Sequence, residues 1–171
     1  DAGRVKSESS ESDQQEDNHQ EDDKEAAGIK YNNVHFAEDG SKKKVLETAA
    51  GLIAQQCPEL DPNELFDNLI SREKLGSTGL GKGIAIPHCR ANHCSNAIGA
   101  FIKLESGVDF DSIDHEPVDM LFVLLVPQDA HEEHLNILSK IATLFNDDNR
   151  RKTLRAAHST DSIYDALVTP V

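Results

Sequence analysis

Residues 71–90 read S-R-E-K-L-G-S-T-G-L-G-K-G-I-A-I-P-H-C-R. Gly76, Gly79, Gly81 and Gly83 give this stretch a backbone that can enter left-handed conformations and approach a ligand closely. Ser77 and Thr78 add hydroxyls among the backbone N–H groups, a combination suited to holding an anion. Ile84, Ala85 and Ile86 read as a short strand, which Pro87 stops just before His88. A loop that can cradle phosphate thus leads within a few residues to a fixed imidazole. A phosphohistidine site requires that arrangement.

Two other readings of the same residues fail on their own terms. Gly76 to Lys82 fits G-x-x-x-x-G-K, but a P-loop next needs Ser or Thr to hold Mg²⁺, with a strand before it and a helix after. Gly83 stands in that place, a helical pattern precedes the loop and a strand pattern follows it. Cys89, His93 and Cys94 after His88 raise a zinc alternative, since structural zinc favours Cys and His. Their spacing matches no standard zinc arrangement and no second Cys/His cluster follows, so no metal and no cofactor is expected.

Working outward, Val34 and Phe36 mark a short strand over Tyr31–Ala37, and Asp39-Gly40 turns into a helix over about Ser41–Gln56. Asp61 as N-cap, Pro62 at the first position and Glu64 at the third open a second helix, which Arg72 closes before the loop. An arginine there either pairs with the last helix carbonyls or leans toward a phosphate. Downstream, Ile98–Leu104 alternates as a half-buried strand, and Val108 and Phe110 anchor an acidic loop over Gly107–Pro117. Val118–Val126 is apolar enough for a central strand covered on both faces. Asp129 and Glu132 form a capping box, so a helix begins near Ala130. His134, Leu138, Ile141 and Phe145 form one stripe on it, which puts His134 on the core-facing side, where most histidines are simply packed. Helices over Asn149–Ala157 and Asp161–Val168, the latter capped by Thr160, close the chain. The pattern predicts an α/β layered domain around a small mixed sheet.

The 171 residues suit one domain plus a tail. Residues 1–27 hold 10 Asp/Glu against 3 Lys/Arg, and residues 28–171 hold 21 against 14, so a short tail carries half of the net charge of −14. Low apolar content predicts a disordered acidic tail over 1–27, whose plainest role is solubilising, and a folded domain over 28–171. The acidic balance argues against nucleic acid or an anionic membrane as partner. No apolar run approaches the roughly 20 residues of a membrane span, so no membrane insertion is expected. Three cysteines without a disulfide framework and no basic, apolar leader predict a cytoplasmic location.

The motif R-E-K-L-G-S-T-G-L-G-K-G-I-A-I-P-H over residues 72–88 resembles the active-site signature of a known family. These are the enzyme IIA domains of the mannitol/fructose class in the phosphoenolpyruvate-dependent phosphotransferase system, and the likeness is strongest to the nitrogen-regulatory branch. It continues through F-I-K-L-E-S-G-V-D-F-D-S-I-D, P-V-D-M-L-F-V-L-L-V-P and H-L-N-I-L-S-K-I-A, from about Lys43 to Val168. It departs at the N-terminus, where the family has a short ordered segment, and at Cys89, where the family often has glycine.

The resemblance implies a mixed sheet with helices on both sides and a phosphocarrier that receives a phosphoryl group on His88 from an HPr-like carrier of the nitrogen-related type. It implies that His134 is a second active-site histidine and that Arg72 serves the phosphoryl group; the loop's own chemistry adds the expectation that Gly76, Ser77, Thr78, Gly81 and Gly83 frame the phosphate. A regulatory output is the leading expectation, acting on partners such as potassium-transport or sensor-kinase components. A sugar-specific enzyme IIA passing phosphate to a IIB domain is an alternative, and a non-covalent anion- or protein-binding module is another.

Overall fold

The structure, a computed structural model, describes residues 24–26, 29–37, 41–130 and 132–168, with side chains from residue 41 on except those of 131 and 133–135. In chain order, strands β1 (Lys24–Ala26) and β2 (Ile29–Ala37) precede helices α1 (Lys42–Gln56) and α2 (Pro62–Leu75). Strands β3 (Gly79–Gly81), β4 (Ile84–Ala85), β5 (His88–Ala91), β6 (Ile98–Val108) and β7 (Val118–Pro127) follow. Helices α3 (Glu132–Phe145), α4 (Asp148–Ala156) and α5 (Thr160–Val168) complete the chain.

The strands form one mixed sheet in the order β1-β2-β6-β7-β4-β3. Strand β5 continues along β7 beyond β4, so the two short strands share one side of β7. Strand β7 is central for a chemical reason: its run of Met, Leu, Phe and Val buries on both faces. Leu121, Val123 and Leu125 face the core beneath α1 and α2, whereas Met120, Phe122, Leu124 and Val126 face Ile141, Phe145, Leu154, Ile163 and Leu167 of α3, α4 and α5. The α/β architecture with helices on both sides of a mixed sheet is therefore observed as expected.

Several expectations shift in detail. The tail read over residues 1–27 lies outside the described residues except for Lys24–Ala26, which pair antiparallel with β2. Helix α2 passes Arg72 and runs one more turn to Leu75. Helix α5 begins at Thr160, and its cap is Ser159, whose hydroxyl accepts the Ser162 N–H at 3.1 Å. Asp61 caps α2 as the sequence indicates, accepting the Asn63 N–H at 2.9 Å.

The Gly-rich stretch is a tight hairpin rather than an open loop. Gly81, Lys82 and Gly83 all have positive φ (88°, 57° and 79°), so the turn between β3 and β4 is left-handed throughout. No helix follows it, in keeping with the rejected P-loop. Gly79 has a different reason to be glycine. A Cβ there would collide with the Ser112 side chain, whose residue is only 2% exposed. Gly79→Ala is expected to destabilise the protein by about 1–3 kcal/mol, the usual range for overpacking. Urea unfolding checks this, and an unchanged midpoint would show that the Ser112 loop yields freely.

Candidate functional site

His88 opens β5 opposite Leu124, at the edge where Pro87 ends the run from β4. Cys89 and Ala91 bury in the core under α1 and α2, so His88 and Arg90 alternate away from it. Cys89 has ordinary backbone geometry, so a side chain fits where the family often has glycine. Burial pushes its thiol up to about 12, which holds the sulfur in the unreactive thiol form within the core.

Two hydrogen bonds settle the state of the imidazole. Nδ1 lies 2.8 Å from the carbonyl oxygen of Ile86, which can only accept. Nε2 lies 3.2 Å from Nε of Arg72, which can only donate. The ring is therefore the neutral Nδ1–H tautomer, with its lone pair on Nε2. Arg72 also donates from Nη1 to the Gly76 carbonyl at 3.0 Å. One donor thus secures the end of α2, the first of the two roles open to this arginine in the sequence, and another touches the histidine.

The electrostatics agree with that state. Burial lowers the His88 pKa from its ordinary 6.5, the bond to Ile86 opposes the shift, the Arg72 charge adds to it and Glu73 opposes it. A lowered pKa means the folded protein disfavours the imidazolium. The stability tied to this group is present above pH 6.5 and declines as pH falls below it. A ¹⁵N NMR titration is expected to show His88 still neutral when free histidine is half protonated. A midpoint at or above 6.5 would contradict this.

The loop residues divide into two groups. Gly76 and Thr78, with Ser77 between them, reach the histidine at one remove: the Gly76 carbonyl holds Arg72, and the Thr78 carbonyl accepts the Ile86 N–H at 3.0 Å. Their donors are largely committed, a departure from the freely available N–H groups read from the sequence. Thr78 gives its N–H (3.0 Å) and its hydroxyl (2.6 Å) to Glu73, the Gly76 N–H bonds to the Glu73 carbonyl at 3.2 Å, and the Ser77 hydroxyl donates to the Phe110 carbonyl.

Gly81 and Gly83 are not brought to His88. The Gly83 carbonyl accepts from Asp119 and Met120, whereas His88 stands opposite Leu124. Four to five residues along β7 separate those levels, about 15 Å at roughly 3.3 Å per residue. These glycines serve the turn. A Cβ on Gly83 would sit 2.5 Å from Arg155 Nη2 and 2.7 Å from Asp119 Oδ1. A cleft of about 590 Å³ lies at this far end, lined by Lys82, Asp119, Arg151, Lys152 and Arg155 among others. It is remote from the histidine, and Arg155–Asp119 and Arg151–Asp148 pairs occupy much of its charge.

His134 belongs to α3, but its side chain lies outside the described residues. Glu73 and Lys42 are the site residues that the sequence reading missed. Nothing local marks them, because they meet only through the packing of α1 against α2, with Lys42 Nζ 2.8 Å from Glu73 Oε1.

Comparison with known proteins bears on the same residues. The model of the family described as phosphoenolpyruvate-dependent sugar phosphotransferase system, EIIA 2, matches residues 29–169. A nitrogen regulatory protein of Pseudomonas aeruginosa is 51% identical over 129 residues, covering 75% of this chain and 84% of its own. A nitrogen regulatory protein of Escherichia coli strain K12 is 44% identical over 128 residues, covering 74% and 78%. The crystal structure of the nitrogen regulatory protein IIA-Ntr from Neisseria meningitidis superposes with a TM-score of 0.73 at 41% identity, covering 82% of this chain and 92% of that one. At 19% identity and a TM-score of 0.65, the mannitol IIA of Escherichia coli shares the fold. With a half-buried neutral histidine at the close of its signature loop and relatives of this likeness, the chain belongs to the EIIA type 2 family of the phosphoenolpyruvate-dependent sugar phosphotransferase system, among its nitrogen regulatory proteins.

Proposed function

We propose that this protein is a phosphohistidine carrier that accepts a phosphoryl group on Nε2 of His88. The observation that carries the reading is the fixed tautomer: Nδ1–H is held by the Ile86 carbonyl, and the Nε2 lone pair faces a guanidinium. A neutral imidazole is a nucleophile near pH 7 without a metal or an external base. In the transfer, the donor's P–N bond breaks and its electron pair returns to the donor ring. A new P–N bond forms to Nε2, and the His88 proton stays on Nδ1.

What remains for the protein is in-line placement and donors for the equatorial phosphoryl oxygens. Arg72 moves its Nε–H from the ring nitrogen to an incoming oxygen and keeps its Nη1 bond to Gly76 as a pivot. Gly76, Ser77 and Thr78 form the adjoining wall, and His134 from α3 is proposed as a further donor on the strength of its H-L-x-x-L-S-K sequence. The donor is proposed to be an HPr-like carrier in the cytoplasm. Among the described residues, no helix is long and apolar enough to cross a membrane.

Two outputs compete. The relatives named nitrogen regulatory protein favour a regulator whose phosphorylation state selects protein partners, with potassium-transport and sensor-kinase components as candidates. A fructose-specific EIIA component of Haloferax volcanii, 38% identical over 112 residues, keeps open the second reading, delivery to a IIB domain. Incubation with a phosphoenolpyruvate-charged HPr-type carrier is expected to place one acid-labile phosphate per chain. Adding a fructose- or mannitol-type IIB domain then separates the outputs: retention of the label favours the regulator, rapid loss to IIB favours sugar transport. No label at all would leave only a binding module.

A further inference from the structure

Glu73, which follows Arg72 on α2, is only 8% exposed. A buried carboxylate is tolerated when its oxygens are satisfied. Here Oε1 accepts the Thr78 N–H at 3.0 Å, Oε2 accepts the Thr78 hydroxyl at 2.6 Å, and Lys42 Nζ stands 2.8 Å from Oε1. Lys42 also donates to the Phe110 carbonyl at 3.4 Å, the carbonyl that accepts the Ser77 hydroxyl. The Thr78 carbonyl accepts the Ile86 N–H at 3.0 Å, and the Ile86 carbonyl holds His88 Nδ1 at 2.8 Å. Three hydrogen bonds, joined through the backbone of Thr78 and of Ile86, therefore link Glu73 to the imidazole.

We propose that Glu73 is a positioning residue for phosphoryl transfer at His88. By clamping both donors of Thr78 it fixes the Ile86 carbonyl, and with it the tautomer and angle of the ring. Its place in the last turn of α2 ties the same clamp to the helix that carries Arg72. Lys42 pairs with the buried carboxylate at 2.8 Å and links it to α1. This inference rests on the phosphocarrier reading, and it assigns Thr78 a part in the clamp in addition to the wall of the site.

The test uses the full chain and a phosphoenolpyruvate-charged HPr-type carrier, with uptake rates measured over a range of carrier concentrations. Glu73→Ala is expected to lower kcat by about 10-fold or more and to leave KM for the carrier within about 2-fold, as misplacement of a reacting group does. Glu73→Gln keeps an acceptor for the Thr78 N–H and a partner for the hydroxyl, so it is expected to stay within about 3-fold of the parent. Thr78→Val loses half of the clamp and is expected to fall between the two. A folded Glu73→Ala protein with unchanged kcat overturns the proposal, as does Glu73→Gln falling as far as Glu73→Ala. Should Glu73→Ala not fold, an unchanged kcat in Thr78→Val overturns it instead.

A role confined to stability would lower melting temperatures and leave the rate per folded molecule intact. If the parent protein accepts no phosphoryl group, the phosphocarrier reading fails by itself. The clamp is then judged by ¹⁵N NMR of the His88 ring, with a single Nδ1–H tautomer expected in the parent and mixed tautomers in Thr78→Val. Unchanged tautomers would overturn the clamp.

Discussion

His88→Ala is expected to take up no phosphoryl group from a charged carrier and to remain folded. Among the described residues of the site, the imidazole is the one group with both a free-energy reason to be neutral and a lone pair set by its neighbours: burial lowers its pKa, and Ile86 and Arg72 fix its two nitrogens. Deleting it removes the nucleophile itself, so the loss is total rather than graded. The structural cost is small by comparison. His88 is half-buried at a sheet edge, and losing its bond to Ile86 costs on the order of 1 kcal/mol. Radiolabel from phosphoenolpyruvate and a melting curve on the same sample separate the two effects. Label persisting on a folded His88→Ala protein would move the chemistry to another residue.

Arg72→Ala is expected to slow uptake by about 100-fold, the usual consequence of removing one donor aimed at developing charge. The guanidinium matters in two ways. It reaches Nε2 at 3.2 Å before transfer, and it anchors itself on Gly76 at 3.0 Å, so it stands at the reacting nitrogen without being free to drift. Arg72→Lys is expected to recover little, since a single ammonium lacks the rigid fork needed to hold both partners. Removing the positive charge also relieves one of the effects that lower the His88 pKa, so the ring should titrate slightly higher in Arg72→Ala. Uptake within about 2-fold of the parent would confine Arg72 to capping α2.

The sequence displayed most of the elements because their signals are local. Asp61-Pro62 starts α2, the apolar run Val118–Val126 makes the central strand, and helical spacing marks α1, α3 and α5. His88 and Arg72 were legible as a pair only through the motif that contains them. Spacing alone does not show that a helix end and a strand start will meet at 3.2 Å. The role of the glycines was less legible. Four glycines within eight residues look equivalent, yet Gly76 is extended, Gly79 lies against Ser112, and Gly81 and Gly83 build a left-handed turn far from the histidine. Those differences come from the register of β4 and β5 along β7, a long-range property. Glu73 was invisible for the same reason, since its partner Lys42 is 31 residues away in the chain and meets it only when α1 packs on α2.

The central claim is that the structure has prepared one nitrogen, Nε2 of His88, to carry phosphate. Coupled ³¹P–¹⁵N NMR of the uniformly labelled protein, charged from phosphoenolpyruvate through an HPr-type carrier, tests it most directly. The expected spectrum shows one phosphoramidate coupled to Nε2 of His88, with the proton retained on Nδ1 against the Ile86 carbonyl. Phosphate on Nδ1, or on any residue other than His88, would contradict it.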